Sequence, residues 1–183
     1  MYSKLLHLFE IIDQSVAQIR REFPEEIRCK PGCADCCHAA FDVSFIEAGH
    51  LGSILLKDKA LTTKMHGEAS RAIEEYEGLI RSGESPEKAR IRCPMLGNDD
   101  TCLCYEGRPI NCRTYGTPTD INGKGHVCGF SGFQKGVNYP TISLAPIQAK
   151  IHNWSVNYAG EDFGNRRFPI ALVILRPSRF APE

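Results

Sequence analysis

The cysteines of this chain are confined to two irregular stretches, and this arrangement limits the folds that the chain can adopt. Four of the nine lie in CKPGCADCC (29–37), and five lie between residues 93 and 128, in a region rich in Gly, Asn, Asp and Pro. A long structureless segment is unusual inside a compact domain, so loops with this many thiols need something that orders them. A metal centre would do so, because thiolate binding of a structural zinc contributes on the order of 10 kcal/mol or more.

A disulfide framework is a weak explanation for these cysteines. A chain of 183 residues buries roughly 70% of its unfolded surface, so its core does not depend on covalent links. The number of cysteines is also odd. The N-terminal segment mixes charged residues and Gln with its apolar ones, unlike a signal peptide. We therefore expect a cytoplasmic protein, in which dense cysteines are more often metal ligands or catalytic groups than disulfides.

Charge and hydropathy argue against two classes of partner. Lys and Arg total 22, as do Asp and Glu, and no long block of like charge indicates a nucleic-acid site. The best candidate for a membrane span, FPIALVIL, ends after eight residues, well short of the roughly 18 that a span needs. The densest basic patch, Arg20, Arg21, Arg28 and Lys30, is typical of a solvated helix end. Alternatively, the patch binds an anionic partner, or its positive charge compensates the negative charge of thiolates.

Apolar periodicity predicts a mainly α-helical protein. The stripe from Leu5 to Phe23 recurs at spacings of three and four and ends at Pro24. Ser44 and Glu47 have capping-box spacing at the start of the next helix. The predicted long helices cover residues 3–23, 44–57, 62–83 and 143–160.

We expect one helical domain, residues 1–183, wrapped around a loop-built metal-binding region. Its cysteine-cluster core spans 29–128, and the N-terminal helix 3–23 and a C-terminal helix with an apolar segment, 140–176, pack on that core. FPIALVILR in this last segment is either a short buried strand or a closing apolar segment, because periodicity does not separate helix from strand at that length. Ser85 and Pro86 are predicted to cap a further short helix.

The first cysteine stretch reads C-x3-C-x2-C-C, and its short steps let several sulfurs converge on one centre. The side chains of adjacent residues leave the backbone in divergent directions. Binding one metal through both Cys36 and Cys37 would therefore cost on the order of 1 to 3 kcal/mol. We expect Cys29, Cys33 and Cys36 to bind one centre, while Cys37 joins the cysteines between 93 and 128 at a second.

The cysteine pattern resembles the YkgJ-type cysteine-cluster family, a zinc- or iron-chelating domain of the CxxCxxCC type. The resemblance covers roughly residues 29 to 128 and rests on the paired Cys36 and Cys37 and on the phrase YEGRPINCR. It implies metal chelation, and some members are described as iron–sulfur oxidoreductases, without a settled reaction. The metal ligands that it implies are Cys29, Cys33, Cys36, Cys37, Cys93, Cys102, Cys112 and Cys128.

Some residues stand at the margin of this ligand set. The first spacing is C-x3-C where the family often has C-x2-C, so Cys29 is the least secure ligand of the eight. By the same resemblance Cys104 is the extra cysteine. His38 and His126 lie beside cysteines and are alternatives, as ligands or as hydrogen-bond donors to the centre.

Two arginines flank Cys112 in YEGRPINCR. A centre with four thiolates carries net negative charge, which nearby guanidinium groups would offset while favouring deprotonated sulfur. We therefore predict that Arg108 and Arg113 support the bound cofactor. The alternative is an ion pair between Glu106 and one of these arginines.

Cysteine spacing does not separate zinc from an iron–sulfur cluster, because either centre takes four cysteines and thiolates bind both. Eight thiols divide naturally into two such centres. The leading functional hypothesis is metal binding with iron–sulfur redox or electron transfer. The alternatives are a zinc-stabilised structural or partner-binding scaffold and a small iron–sulfur enzyme, an oxidoreductase, with an open metal position. The expected partners are metal ions and a protein redox partner.

A competing resemblance involves Cys29, Cys33 and Cys36 alone. Their spacing, C-x3-C-x2-C, is similar to that of radical S-adenosylmethionine enzymes. Those enzymes form a partial barrel of alternating strands and helices, whereas this chain predicts mainly helices. A fourth thiol at Cys37 would also crowd the open iron, so this interpretation is the weaker one.

Overall fold

The protein is mainly α-helical, as the periodicity predicts, with helix over about 54% of the chain. A computed structural model describes residues 2–86 and 89–181. The helices of this part are α1 (Ser3–Glu22), α2 (Phe45–Lys57), α3 (Lys59–Ser82), α4 (Ile110–Thr114), α5 (Leu144–Gly164) and α6 (Ile170–Leu175). The strands are β1 (Asp42–Ser44), β2 (Thr119–Ile121), β3 (Lys124–His126), β4 (Ile142–Ser143) and β5 (Arg167–Pro169). None of the described helices is long and apolar enough to cross a membrane.

The predicted starts and ends of the long helices agree with the structure to within a few residues. α1 ends one residue before Phe23, and α3 ends at Gly83, whose φ of +78° is the left-handed conformation that glycine adopts easily. The short helix predicted from Ser85 and Pro86 extends into residues 87 and 88, which lie outside the described residues. The sequence thus predicts helix ends well where a proline or a glycine terminates the helix.

α2 begins with the capping box that the sequence predicts. The Ser44 hydroxyl accepts a hydrogen bond from the Glu47 N–H, and the Glu47 carboxylate accepts one of 3.0 Å from the Ser44 N–H. The other oxygen of this carboxylate accepts a 3.0 Å hydrogen bond from the N–H of Ile110, the first residue of α4. A single buried carboxylate therefore joins the start of α2 to the start of the helix that carries Cys112.

Replacing Glu47 with alanine is expected to lower the free energy of unfolding by about 3 kcal/mol, because it leaves the buried N–H groups of Ser44 and Ile110 without acceptors. Urea denaturation followed by circular dichroism measures the change. Glu10→Ala is the matched control, since Glu10 is exposed on α1 and should change stability by less than about 0.5 kcal/mol. Equal small effects for the two variants would contradict the role given to Glu47.

Two hydrophobic clusters hold the helices together. The larger lies between α2, α3 and α6 and includes Leu51 and Ile174, which are 1% and 0% exposed. The second lies between α1, α4 and α5 and includes Phe9, Ile110 and Ile151. Burial of this apolar surface stabilises the packing of the helices without any contribution from a metal.

The apolar segment near the C terminus forms a strand and then a helix. β5 pairs antiparallel with β1, with Phe168 opposite Val43. α6 follows at once and packs against both α2 and α3. Because Val173 and Ile174 are fully buried and Ile170 nearly so, the helix is apolar on most sides. Its sequence therefore lacks the polar face that would have indicated a helix.

The region from 93 to 139 contains more regular structure than its loop-like composition predicts. β2 and β3 form an antiparallel hairpin whose turn is Asn122-Gly123. Both turn residues have positive φ, 53° and 80°, as the Asn-Gly sequence favours in a type I′ turn. β2 also pairs in parallel with β4, directly before α5. The hairpin thus attaches the segment before Cys128 to the helical part of the protein.

Candidate metal centre

The two cysteine stretches lie side by side in the structure. A short 3₁₀ helix, Asp35–His38, presents Cys36 and Cys37. The carbonyl of Cys37 accepts a 2.7 Å hydrogen bond from the N–H of Cys93, the first cysteine of the second stretch. Main-chain pairing therefore brings the two stretches together, independently of any bond between their thiols.

A cavity of about 570 Å³ lies between these stretches. All nine cysteines of the chain are free thiols. The cavity is lined by each of the eight cysteines that the sequence resemblance implies as ligands, namely Cys29, Cys33, Cys36, Cys37, Cys93, Cys102, Cys112 and Cys128.

Cys104, the ninth cysteine, lies elsewhere. It is 4% exposed and belongs to the hydrophobic cluster between α2, α3 and α6. Gly107 lies so close to its Sγ that an added Cβ would stand 2.8 Å from it. The structure therefore gives Cys104 the surroundings of a small apolar core residue, whereas Cys102, two residues earlier, faces the cavity.

One part of the cavity holds what we call the Cys37 group: Cys37, Cys93, Cys102 and Cys112. Cys93 and Cys102 are both close enough to Cys37 to raise the pKa of that thiol. Burial raises the pKa of Cys112, and the neighbouring thiols of Cys36, Cys37 and Cys102 raise it further. These four thiols come from the 3₁₀ helix, the segment 93–104 and α4.

The other part of the cavity holds the Cys29 group: Cys29, Cys33 and Cys128, of which the last two add to the effect of burial in raising the pKa of Cys29. Cys36 lies between the groups, with its Sγ 4.0 Å from that of Cys37 and close enough to Cys29 to raise its pKa. The sequence-based prediction placed all cysteines after 93 with Cys37. The structure instead places Cys128 with Cys29, since the chain returns to the first stretch after the β2–β3 hairpin.

The thiols are near one another without forming a completed ligand shell. Among residues 2–86 and 89–181, no three His, Cys, Asp or Glu side chains are gathered closely enough to hold a metal ion. Tetrahedral zinc, with Zn–S bonds of about 2.3 Å, separates its sulfurs by roughly 3.8 Å, close to the 4.0 Å between Cys36 and Cys37. This distance also suits two sulfurs on one ion, so the division of this pair between two centres stays a prediction.

The chemistry of the donors fits zinc or iron, because soft thiolate ligands select both zinc and iron–sulfur centres. Binding would draw the remaining sulfurs inward. Such an adjustment is expected of sites in which metal binding and local folding are coupled.

Burial raises the pKa of thiols in the cavity. It raises the pKa of Cys29 to about 11, with further contributions from neighbouring thiols, and Arg20 opposes the rise. Burial also raises the pKa of Cys112 well above its usual value, and Arg108 opposes that rise. These thiols therefore keep their protons at neutral pH, and a metal ion must displace the protons when it binds.

Metal affinity is accordingly expected to increase with pH. Thiols with raised pKa values stay protonated through pH 6.5 to 8, so each proton that a metal displaces strengthens binding by up to about tenfold per pH unit. Competition with a chromophoric chelator at several pH values in this range, corrected for the pH dependence of the chelator itself, measures the change. A flat affinity profile would contradict binding to protonated thiols.

Arg108 lies beside the Cys37 group, and its role in supporting a cofactor stays a prediction. Its guanidinium carbon is 3.5 Å from the centroid of the Tyr105 ring, and its Nε donates to the Tyr105 carbonyl. From this position its charge lowers the pKa values of Cys36, Cys102 and Cys112, against the stronger effects that raise them. Arg108 thus supplies positive charge where thiolates would form.

Arg113 has different surroundings, although it also lines the cavity. It is 7% exposed and donates a 2.6 Å hydrogen bond to the Asp13 carboxylate on α1. Its other nitrogens donate to the carbonyl oxygens of Glu106 and Arg108. Arg113 therefore ties α1 to the loop before α4. The carboxylate with which it pairs is that of Asp13, where the sequence suggested Glu106.

Asp35 is a member of the site that sequence analysis missed. Its side chain is 9% exposed and accepts hydrogen bonds from Arg90 at 2.9 Å, Tyr115 at 2.7 Å and the Cys128 thiol at 3.4 Å. Burial alone would raise the pKa of Asp35, but these three donors outweigh it and hold the pKa below its usual range. In the sequence, the only sign of this role was that Asp35 lies among the cysteines of CADCC. Nothing in the sequence indicates that Arg90, Tyr115 and Cys128 would contact it.

The two histidines considered as alternatives do not line the cavity. His38 ends the 3₁₀ helix, and its Nδ1 is 3.0 Å from the carbonyl oxygen of Ala34. His126 lies at the exposed end of β3. The described cavity is therefore lined by thiols and not by imidazoles.

Gly116 is the glycine on which the position of Cys29 depends. Its φ is +87°, and a Cβ at this position would overlap the Sγ of Cys29. Gly136 has nearly the same φ, +86°, with nothing within 4 Å of the added atom. Alanine substitutions at Gly116 and Gly136 therefore distinguish the effect of backbone strain from the effect of displacing the Cys29 thiol.

Gly116→Ala is expected to weaken metal binding by at least about tenfold, because the added methyl group displaces the Cys29 sulfur. Both Gly116→Ala and Gly136→Ala should lose about 1 to 2 kcal/mol of stability from the left-handed backbone. Only the first should change metal affinity, measured by chelator competition. Unchanged affinity in Gly116→Ala would show that Cys29 is not a ligand.

Comparison with known proteins identifies a family for this part of the chain. Residues 28–129 match a family model, CxxCxxCC, described as "Putative zinc- or iron-chelating domain". No match was found among curated proteins or among solved structures. The matched residues include all nine cysteines and more than half of the chain. The chain therefore belongs to the CxxCxxCC family of zinc- or iron-chelating domains.

Proposed function

We propose that this protein binds zinc or iron through eight cysteines arranged as two four-thiolate centres. The observation that carries the proposal is the cavity: cysteines up to 99 residues apart in the sequence (128 − 29) line one space, while Cys104 is packed in the hydrophobic core. The one cysteine outside the cavity is also the one that the family resemblance leaves out.

The division into two centres follows the grouping of the thiols. The Cys37 group supplies four sulfurs. The Cys29 group supplies three, and Cys36 completes it. Four thiolates match either a structural zinc site or an iron–sulfur cube. With Cys36 in one centre and Cys37 in the other, the adjacent side chains need not turn toward a single ion.

Residues around these centres position the cysteines and offset their charge. The hydrogen bond from Cys93 N–H to the Cys37 carbonyl holds the two stretches in register. Arg108 offsets the negative charge of the Cys37 group. Before metal binds, Asp35 holds Cys128 near the first stretch by accepting a hydrogen bond from its thiol, and the metal would displace that proton on binding.

Iron–sulfur electron transfer is the second candidate, favoured by the volume of the cavity. One water-sized sphere occupies only about 10 to 15 Å³ of such space, and the cavity measures about 570 Å³. A bare zinc ion needs little room between its sulfurs. A centre that contains inorganic sulfide, or a metal ion with an additional ligand, would use more of this space, and such a metal bound to thiolates could exchange electrons with a protein partner.

Metal and acid-labile sulfide analysis of protein prepared without oxygen tests the proposal. Two zinc ions per chain without sulfide would support a zinc scaffold and end the electron-transfer candidate. Iron with equimolar sulfide would support the redox function. A purified, folded protein that retains neither metal, and that takes up neither from solution at micromolar concentration, would contradict metal binding itself.

A further inference from the structure

A second cavity, of about 440 Å³, lies beside the first and shares part of its wall. Cys29, Cys33 and Cys128 line both cavities. The Cys29 group therefore stands between two spaces, and a metal held there could be approached from the second cavity. Its volume lies within the range, about 300 to 1,000 Å³, of pockets that bind small molecules.

The second cavity has an excess of positive charge. Arg28, Lys30 and Arg90 line it, and Asp35 is its only carboxylate among the described residues. Arg90 forms a 2.9 Å salt bridge with Asp35, so two of the three cations remain. In the part of the chain that the structure describes, neither Arg28 nor Lys30 has an ion-pair partner.

Other cations act most strongly on the thiols. The positive charges that act on the cysteines of the first cavity belong chiefly to Arg20 and Arg108. Arg28 lines only the second cavity, whereas Lys30 lines both, next to the Cys29 group.

An exposed aromatic ring completes the lining. Phe130 is 63% exposed, two residues after Cys128, and it borders the second cavity. Aromatic rings pack against flat apolar groups in offset or edge-on arrangements that stabilise binding. An exposed ring of this size next to unpaired cations suits a ligand with an apolar part and an acidic part.

We propose that the second cavity binds a small organic anion, a carboxylate or phosphate that carries a flat apolar group, beside the metal of the Cys29 group. Arg28 and Lys30 bind the acidic group and Phe130 packs on the apolar group. Only the position of the ligand beside a metal rests on the function proposed above; the binding itself rests on this cavity.

Calorimetric titration of the full-length, metal-loaded protein with three probes tests the proposal: phenyl phosphate, inorganic phosphate and benzyl alcohol. Phenyl phosphate is expected to bind, inorganic phosphate to bind roughly tenfold more weakly, and benzyl alcohol not to bind, because the cations supply most of the affinity and the ring adds to it. No heat from phenyl phosphate, or equal binding of benzyl alcohol, would overturn the proposal.

Substitutions of the lining residues test which side chains contact the anion. Arg28→Gln and Lys30→Gln should each weaken the binding of both phenyl phosphate and inorganic phosphate by roughly tenfold. Phe130→Ala should weaken the binding of phenyl phosphate only. The controls are Arg21→Gln, in the same basic patch but outside the cavity, and Val137→Ala, which is also exposed and outside it. Equal effects from variants and controls would show non-specific binding.

Metal content measured on the same samples separates the two proposals. Protein that holds its metal but does not bind phenyl phosphate overturns only the present inference. Protein that holds no metal overturns the proposed function, whether or not it binds the anion. In cobalt-substituted protein the visible spectrum should change on addition of phenyl phosphate; binding without that change would contradict the position beside the metal.

Discussion

Removal of the metal is expected to leave the helices largely intact and to make the region between residues 93 and 128 sensitive to proteases. α1, α2, α3, α5 and α6 pack through two hydrophobic clusters made mainly of apolar side chains. The cysteine-rich region contributes Met95, Cys104 and Ile110 to these clusters, and we propose that the thiols around its cavity are ordered by metal, which contributes on the order of 10 kcal/mol per site. Local opening of this region should therefore precede global unfolding.

Trypsin treatment after incubation with a strong chelator measures this effect. Cleavage is expected after Arg113 and Lys124, while Arg71 in α3 stays protected. The fluorescence of Trp154, the single tryptophan, packed on the second hydrophobic cluster, should change little. Restoring the metal should restore resistance. Digestion that is the same with and without metal would rule out a structural role for the centres.

The second large effect is expected from exchanging single cysteines for serine. Cys102→Ser should abolish metal binding at the Cys37 group and lower the metal content of the protein by one centre, because serine is a poor ligand for zinc or iron. Cys104→Ser should keep the full metal content, since Cys104 lies in the hydrophobic core and outside the cavity.

The two variants form a matched pair, with one substitution type at positions separated by a single residue. Metal content per folded chain, measured by elemental analysis, is the readout. Cys104→Ser is expected to lose about 1 to 2 kcal/mol of stability because it buries a hydroxyl in apolar surroundings, and Cys104→Ala separates that cost from metal binding. Equal metal loss from Cys102→Ser and Cys104→Ser would refute the ligand assignment.

Local sequence signals predicted the long helices well. The apolar stripe and Pro24 defined α1, the Ser44–Glu47 capping box defined the start of α2, and Gly83 defined the end of α3. Each signal acts within a few residues along the chain, so it can be identified without knowledge of the fold. For FPIALVILR the sequence left strand and helix undecided, because the apolar character of α6 comes from burial between α2 and α3, which only the tertiary structure supplies.

The convergence of the two cysteine stretches was expected, but its details were not. Sequence spacing shows which thiols are near one another along the chain and does not show where a later segment returns. Cys128 lies with Cys29 because the β2–β3 hairpin redirects the chain, and its Asn-Gly turn was a readable signal that the sequence analysis left unused. Asp35 depends on Arg90 and Tyr115, 55 and 80 residues away, and no local pattern indicates such contacts.

X-ray absorption at the metal edge of the purified protein tests the central claim most directly. Four-thiolate centres predict a first shell made of sulfur, at about 2.3 Å for zinc, with four sulfurs for each metal. An iron-loaded protein should show the same sulfur shell with a metal–metal contribution if sulfide bridges the irons. A first shell of nitrogen or oxygen at about 2.0 to 2.2 Å would contradict binding by the eight cysteines.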